Sequence, residues 1–124
     1  MSDHRKEARK KLIAFTPVHD LLRKTLLGYV GDLTLQGVMV VGEKPVEINR
    51  NLTLGIQFPE SLPDTPAMRI VIPARAAWCR QVDGPQFNIG FEFINVSPDD
   101  ADVIETVLKR YQFRYVANDF DAER

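Results

Sequence analysis

The longest β-prone segment of the chain covers residues 67–83, and a second apolar run covers residues 87–96. The turn-forming sequence Asp83-Gly84-Pro85 lies between them, and phenylalanine and isoleucine occupy alternate positions in the second run. Two such runs joined by a short turn predict a β-hairpin. Pro73 in the first run indicates a sheet edge or a bend, because proline cannot donate a backbone hydrogen bond to a neighbouring strand.

Four shorter β-prone runs precede this hairpin. They cover residues 12–18, 26–33, 38–41 and 52–58. In the fourth run apolar side chains alternate with polar or small ones, which is the pattern of a strand with one buried face. Gly28 and Gly31 in the second run indicate a bulge, a bend or a close approach of two backbones. His19 and Asp20 lie near a predicted turn after the first run.

The last predicted element is a helix that begins after Ser97. Ser97 is a good N-cap, Pro98 suits the first helical position, and acidic residues in the first turn favour the positive end of the helix dipole. Apolar residues then recur at helical spacing, so one stripe packs against the strands. This stripe consists of Val103, Ile104, Val107, Leu108 and Tyr111. Strands followed by one helix predict a mainly β fold, a small antiparallel barrel or sandwich with a packing helix.

Length and composition limit the function classes. A chain of 124 residues fits one domain, and its formal net charge of −1 disfavours attraction of the whole surface to nucleic acid or membrane. No apolar run approaches the roughly 20 residues of a membrane span, and the polar N-terminus does not resemble a secretory signal. Cys79 is the only cysteine, so no internal disulfide forms. We therefore expect a cytoplasmic protein that neither inserts into membranes nor binds DNA or RNA.

The sequence offers little support for catalysis or metal binding. Neither histidine has a cysteine or another histidine at ligand spacing, and we expect Cys79 to be a structural thiol. We therefore expect no metal site and no enzymatic activity. Trp78 is most simply a core residue or part of a groove wall. Arg75 and Arg80 beside it would also suit a stacking surface for single-stranded nucleic acid, although the near-neutral net charge counts against that function.

The N-terminal segment, residues 1–11, is polar and basic. It contains five Lys or Arg residues against Asp3 and Glu7, and Arg5 and Arg9 lie four positions apart. A solvated, mobile terminus is one interpretation of this composition. The spacing also places two long cationic side chains within reach of one ligand.

A polar turn at residues 34–37 joins the second and third predicted strands. Its residues have a purely structural interpretation. Asp32 and Thr34 can close the turn through hydrogen bonds between side chain and backbone, and Gly37 can supply a positive φ. Taken alone, this turn indicates no function.

The two polar segments together resemble a known pair of motifs. Arg5-Lys6-Glu7-Ala8-Arg9, followed by Asp32-Leu33-Thr34-Leu35-Gln36-Gly37, resembles the R-x-x-x-R and [DN]-x-S-x-x-G motifs of the PilZ family of cyclic di-GMP receptors. Residues 74–78, 88–93 and 96–100 resemble the last strands and the helix start of that family, so the resemblance covers residues 5–112. Thr34 stands where serine is usual, which keeps the hydroxyl but stiffens χ1.

The resemblance implies a six-stranded antiparallel β-barrel with a C-terminal α-helix. It also implies cyclic di-GMP as the ligand, with no further cofactor. Carried over by position, Arg5 and Arg9 would grip guanine edges and phosphates, because arginine forks onto both. Lys6 and Lys10 would be accessory phosphate contacts.

The turn motif would contribute the remaining contacts of the implied site. Asp32 would accept hydrogen bonds from guanine N–H groups, Thr34 would hydrogen-bond the ligand, and Gly37 would let backbone and ligand approach. We expect a receptor whose flexible N-terminal segment becomes ordered over the barrel when the nucleotide binds, so that a downstream protein recognises the new surface. Family members control motility, exopolysaccharide production, biofilm, pili or virulence.

The predicted organisation has three parts: a basic tail at residues 1–11, the barrel and helix at residues 12–115, and a polar tail at residues 116–124. The alternative to a receptor is a protein-interaction adaptor of the same fold that does not bind nucleotide, since some family members have lost the motifs. Thr34 favours the adaptor, whereas the retained arginine pair favours the receptor.

Overall fold

The computed structural model describes residues 16–58 and 68–111, which form six strands and one helix. The strands are β1 (Pro17–Asp20), β2 (Thr25–Leu33), β3 (Gly37–Gly42), β4 (Asn51–Gln57), β5 (Arg69–Gln81) and β6 (Phe87–Phe93), and the helix is α1 (Pro98–Tyr111). Residues 12–15 of the predicted first strand and both predicted tails lie outside the described residues. The predicted boundaries of the three parts therefore stay predictions.

The six strands close into one barrel in the order β1-β2-β3-β6-β5-β4. Every neighbouring pair is antiparallel. β1 closes the barrel by pairing with β4, where Val18 lies opposite Ile56 and Asp20 lies opposite Leu54. The predicted hairpin is formed by β5 and β6. The structure thus confirms the mainly β fold and the six-stranded antiparallel barrel with a terminal helix, and it decides between barrel and sandwich.

Alternation of side chains along the strands builds the core of the barrel. In β4, Leu52, Leu54 and Ile56 point inward and are at most 4% exposed, as the sequence pattern predicts. Inward side chains from all six strands join them in one apolar cluster. Burial of this apolar surface is the main force that holds a barrel of this size together, at about 25 cal/mol per Å².

A one-residue bulge interrupts the alternation in β2. Val30 and Leu33 are both buried although they lie three positions apart, and the register to β3 shifts between Val30 and Asp32. Gly31 is therefore the extra residue, and a bulge is one of the three features that the sequence predicts at Gly28 and Gly31. The bulge turns Asp32 to the outer surface of the barrel.

A second bulge interrupts β5 at Ala77. Ala76 is fully buried, Trp78 is 41% exposed, and Cys79 packs against the core. The register to β6 shifts between Ala76 and Trp78. Without the extra residue Trp78 would point inward, as Ala76 does two positions earlier.

Pro73 lies in the middle of β5 but at a local edge of the sheet. It is opposite Thr53 of β4 on one side, and β6 has ended at Phe93 on the other side. The Pro73 carbonyl accepts a hydrogen bond from the backbone nitrogen of Ile94 at 2.9 Å. The backbone nitrogen and carbonyl of a strand residue point to the same side. The Pro73 nitrogen, which has no hydrogen to donate, therefore faces the end of β6. The edge predicted for Pro73 therefore exists inside a closed barrel.

Helix α1 begins at the position that its capping sequence predicts. The Ser97 Oγ accepts a hydrogen bond from the Asp100 backbone nitrogen at 3.1 Å, and Pro98 is the first helical residue. Ile104 and Val107 from the predicted apolar stripe are fully buried. The helix contacts β5, so it covers part of the barrel wall.

A buried ion pair fixes the turn that follows β1. Asp20 is 1% exposed, and its Oδ1 accepts hydrogen bonds from the backbone nitrogens of Leu22 and Arg23 at 3.1 and 3.2 Å. Its Oδ2 accepts from Arg50 Nη2 at 2.6 Å. A buried carboxylate requires such partners, because desolvation of an unpaired charge is strongly unfavourable. Arg50 thereby ties the connection between β3 and β4 to the turn between β1 and β2.

We expect the change Arg50→Ala to lower the free energy of unfolding by about 1.5–3 kcal/mol, because Asp20 would lose a charge-assisted hydrogen bond in a buried position. Urea unfolding at neutral pH measures this. The exposed Arg69 offers a matched control, and Arg69→Ala should change the stability by no more than about 0.5 kcal/mol. Equal losses in the two variants would contradict the structural role of the ion pair.

Candidate ligand-binding site

A groove on the outer surface of the barrel crosses β2, β3, β6 and β5 beside the turn at residues 34–37. Its volume is about 310 Å³. The residues that line its floor and rim include Asp32, Thr34, Gly37, Met39, Arg75, Trp78, Gly90 and Glu92. The groove therefore brings together all three site residues that were predicted in the described part of the chain.

The floor of the groove is a row of residues paired in register across four strands. Asp32 of β2 lies opposite Met39 of β3, Met39 lies opposite Gly90 of β6, and Gly90 lies opposite Trp78 of β5. Neighbouring strands are about 4.8 Å apart, so the row is about 14 Å long. The Asp32 carboxylate and the Trp78 indole thus occupy opposite ends of the floor.

The Trp78 indole lies across the backbone of Gly90. A Cβ atom added to Gly90 would lie 2.2 Å from Trp78 Nε1, so only glycine leaves room for the ring. The Cζ atom of Arg80 lies 5.5 Å from the centre of the indole, within the range of a cation–π interaction. The prediction that Trp78 is a core residue is therefore wrong, and its alternative, a groove wall, is confirmed.

The Thr34 side chain closes the turn between β2 and β3. Its Oγ1 accepts hydrogen bonds from the backbone nitrogens of Gln36 and Gly37 at 3.1 and 3.2 Å, and the Thr34 backbone nitrogen donates to the Gly37 carbonyl at 2.9 Å. The structural interpretation of Thr34 is thus confirmed. The positive φ suggested for Gly37 is wrong. A Cβ at Gly37 would instead lie 2.3 Å from the Phe91 carbonyl oxygen, so glycine allows β3 and β6 to approach closely.

Asp32 stands on the outer surface at the β2 end of the floor. Its Oδ1 accepts a hydrogen bond from the Leu33 backbone nitrogen at 2.9 Å, and the residue is half-buried. This local bond orients the carboxylate beside the groove. It lies within β2 and does not itself close the turn at residues 34–37, which is the structural role predicted for Asp32.

The charged residues that line the described part of the groove are two carboxylates and one guanidinium. Glu92 and Arg75 form an ion pair across β6 and β5, and Asp32 is the second carboxylate. The floor therefore has no excess of positive charge. Pairing with Glu92 also counts against the nucleic-acid alternative, which needs Arg75 for contacts to phosphates.

The four predicted basic contacts lie outside the described residues; they are Arg5, Lys6, Arg9 and Lys10. The structure does show where the chain from that segment joins the barrel. The carbonyl of Thr16 accepts a hydrogen bond from the backbone nitrogen of Val30 at 2.9 Å. Val30 precedes Asp32 by two residues in β2, so Thr16 lies beside the part of the barrel that carries the groove.

A second groove of about 680 Å³ lies at the opposite end of the barrel, around Asp20 and Arg50. Asp32, Thr34 and Gly37, the predicted site residues within the described ranges, do not line it. Across residues 16–58 and 68–111, no group of three or more His, Cys, Asp or Glu side chains is arranged to hold a metal ion. In the same ranges, no helix has both the length and the apolar character required to cross a membrane.

Fold and groove together define a class of protein: a six-stranded antiparallel barrel with a terminal helix and a polar turn at an outer groove. The family model described as PilZ domain matches residues 3–113, so the chain belongs to the PilZ family and is essentially a single PilZ domain. A search of curated proteins finds no match. The PilZ family is in general a cyclic di-GMP-binding family and is not a catalytic one.

We expect Gly90→Ala to displace the Trp78 indole from the sheet, because the new methyl group would overlap the ring. Trp78 is the only tryptophan, so its fluorescence emission should shift to longer wavelength as the ring moves into water. The matched control is Gly84→Ala, where a Cβ meets no other atom and the strain arises only from a φ of +51°. An unchanged emission spectrum in a folded Gly90→Ala protein would contradict the described groove.

Proposed function

We propose that the groove binds cyclic di-GMP and that the protein is a non-catalytic receptor for this nucleotide. The observation that carries the proposal is the joint position of Asp32, the turn at residues 34–37 and the exposed Trp78 on one outer groove. General membership of a family that binds this ligand supports the proposal further.

The charges of the groove suggest how contacts to the ligand would be divided between the barrel and the N-terminal segment. Cyclic di-GMP carries two phosphates, and the described part of the groove offers two carboxylates with one ion-paired guanidinium. Phosphates would therefore be held by Arg5 and Arg9, with Lys6 and Lys10 as accessory contacts. The bases, which are neutral and carry N–H donors, would face the barrel.

Arg9 can reach the groove from its place in the sequence. It lies seven positions before Thr16, and a chain of that length spans at most about 25 Å. Thr16 lies beside β2 close to Asp32, and the whole groove floor is about 14 Å long. Both arginines therefore have enough chain to cover a nucleotide that lies on the floor.

The barrel residues have separate roles in this proposal. Asp32 accepts hydrogen bonds from guanine N–H groups. A guanine stacks on the Trp78 indole in place of the Arg80 guanidinium, which lies over that ring in the structure; stacking on aromatic rings contributes about 1–3 kcal/mol per base. Gly37 lets the ligand approach the backbone at the point where β3 and β6 lie close together. Thr34 holds the turn in shape, and its hydroxyl also hydrogen-bonds the ligand.

We further propose that nucleotide binding orders the N-terminal segment over the groove and that a downstream protein recognises the result. Such a switch converts ligand binding into a new surface without chemistry. The adaptor without nucleotide stays the second candidate. It is favoured by the Thr34 hydroxyl, which already accepts two hydrogen bonds within its own turn.

Titration calorimetry of the folded protein at micromolar concentration should give heat with cyclic di-GMP. We expect Arg9→Ala and Asp32→Ala to lose this heat while the melting temperature without ligand changes little, because both residues contact the ligand. Quenching of the Trp78 fluorescence provides a second readout. The exposed residues Arg69 and Asp83 supply matched controls, and their alanine variants should bind normally.

Absence of heat with the folded wild-type protein would contradict the receptor and support the adaptor. Unfolding of Arg9→Ala or Asp32→Ala would instead assign that residue a structural role.

Two changes at Thr34 separate its hydroxyl from its methyl group. Thr34→Ser keeps the hydroxyl, so we expect unchanged stability and an affinity equal to that of the wild type or a few-fold higher. Thr34→Val removes the acceptor of two backbone hydrogen bonds, so we expect a loss of about 1 kcal/mol in stability together with weaker binding. Thermal melting and calorimetry measure both effects, and wild-type affinity in Thr34→Val would show that the hydroxyl has no role in binding.

A further inference from the structure

We propose that Glu92, held by Arg75, reads the Watson–Crick edge of a guanine stacked on Trp78 and thereby determines base specificity. This inference rests on the proposed function and goes beyond the two sequence motifs, since Glu92 belongs to neither. It assigns the groove a second carboxylate reader besides Asp32.

Glu92 stands on the rim of the groove next to the indole platform. It lies two residues after Gly90 in β6, on the same outer face, and the Trp78 ring covers Gly90. Side chains at such positions are about 7 Å apart, within reach of a base that lies on the ring. The Glu92 side chain is 58% exposed, so a ligand has access to it.

Arg75 fixes the direction of the Glu92 carboxylate. Its Nη2 donates to Glu92 Oε1 at 2.5 Å, and its Nη1 donates to Asn49 Oδ1 at 2.7 Å. Asn49 is itself held by a hydrogen bond from its backbone nitrogen to the Ala76 carbonyl at 2.7 Å. Arg75 is therefore a positioning residue, because both ends of its guanidinium are fixed. Among the described residues, Arg75 is the hydrogen-bond donor to the Glu92 carboxylate, and it contacts the Oε1 atom.

The chemistry of this site matches guanine better than adenine. Guanine presents two neighbouring donors, N1–H and N2–H₂, and an ionised carboxylate is a pure acceptor with two oxygens. Adenine presents an acceptor at N1, which would face the carboxylate without a proton between them. The ion pair with Arg75 reduces the repulsion between the Glu92 carboxylate and a ligand with two phosphates. The contact to the base would therefore be made by the Oε2 atom of Glu92, which Arg75 does not contact.

The test compares two ligands on the full chain by calorimetry. The probes are cyclic di-GMP and cyclic di-IMP, in which hypoxanthine replaces guanine and the N2 amino group is missing. Wild-type protein should prefer cyclic di-GMP, and Glu92→Gln should reduce this preference by about tenfold, which is the effect of losing one hydrogen bond to a charged acceptor. The quantity compared between variants is the ratio of the two ligand affinities. The loss of one negative charge affects both ligands equally and therefore cancels in this ratio.

Two further variants make the result specific. Glu92→Asp keeps the charge but retracts the carboxylate by one methylene, so it should also lose preference. The matched control Glu105→Gln changes the same chemical group on an exposed position of α1 and should keep the wild-type ratio. Circular dichroism establishes that each variant is folded.

The outcomes separate this inference from the proposed function. Wild-type binding of cyclic di-GMP with the same preference in Glu92→Gln overturns the role of Glu92 and leaves the receptor in place. Failure of the folded wild-type protein to bind either ligand overturns both. A reduced preference in both Glu92 variants and an unchanged one in Glu105→Gln supports the assignment.

Discussion

In a closed barrel, the side chain of each strand residue points either into the core or to the outer surface. Successive residues alternate between them, so a residue can change face only where an extra residue enters the strand. The bulges at Gly31 and Ala77 do this on two strands of one groove, and they turn Asp32 and Trp78 outward. The core keeps its apolar lining, since the next residue of each strand points inward again. The candidate site thus depends on two local exceptions to the rule that builds the fold.

The charges on the groove suggest which part of the nucleotide the barrel would bind and which part the N-terminal segment would bind. Two carboxylates and one ion-paired guanidinium suit the N–H donors of bases rather than phosphates. A nucleotide with two phosphates would need cations from elsewhere, and the arginine pair of the N-terminal segment lies within chain reach of the groove. With the contacts divided in this way, ligand binding would depend on both the barrel and the N-terminal segment. A switch in which the ligand orders that segment over the barrel requires such a dependence.

Most of the fold could be predicted because its signals are local. The start of α1 follows from Ser97 and Pro98, the buried face of β4 follows from strict alternation, and the β5–β6 hairpin follows from a turn between two apolar runs. The sequence leaves both the core and a groove wall open for Trp78, because residue alternation along β5 gives no sign of the bulge at Ala77. The positive φ suggested for Gly37 is not found, and what requires glycine there is the Phe91 carbonyl, which belongs to another strand and cannot be read from local sequence.

The sequence by itself determined the classes of element, the closing turn at Thr34 and, through its resemblance to paired motifs, the family. Only the tertiary structure decided which residues share the groove with that turn. Arg75, Trp78 and Glu92 lie more than forty positions from Asp32 in the chain, and pairing of β2, β3, β6 and β5 brings them together. Strand register and bulges determine these contacts, and both arise from packing between distant segments rather than from local preference.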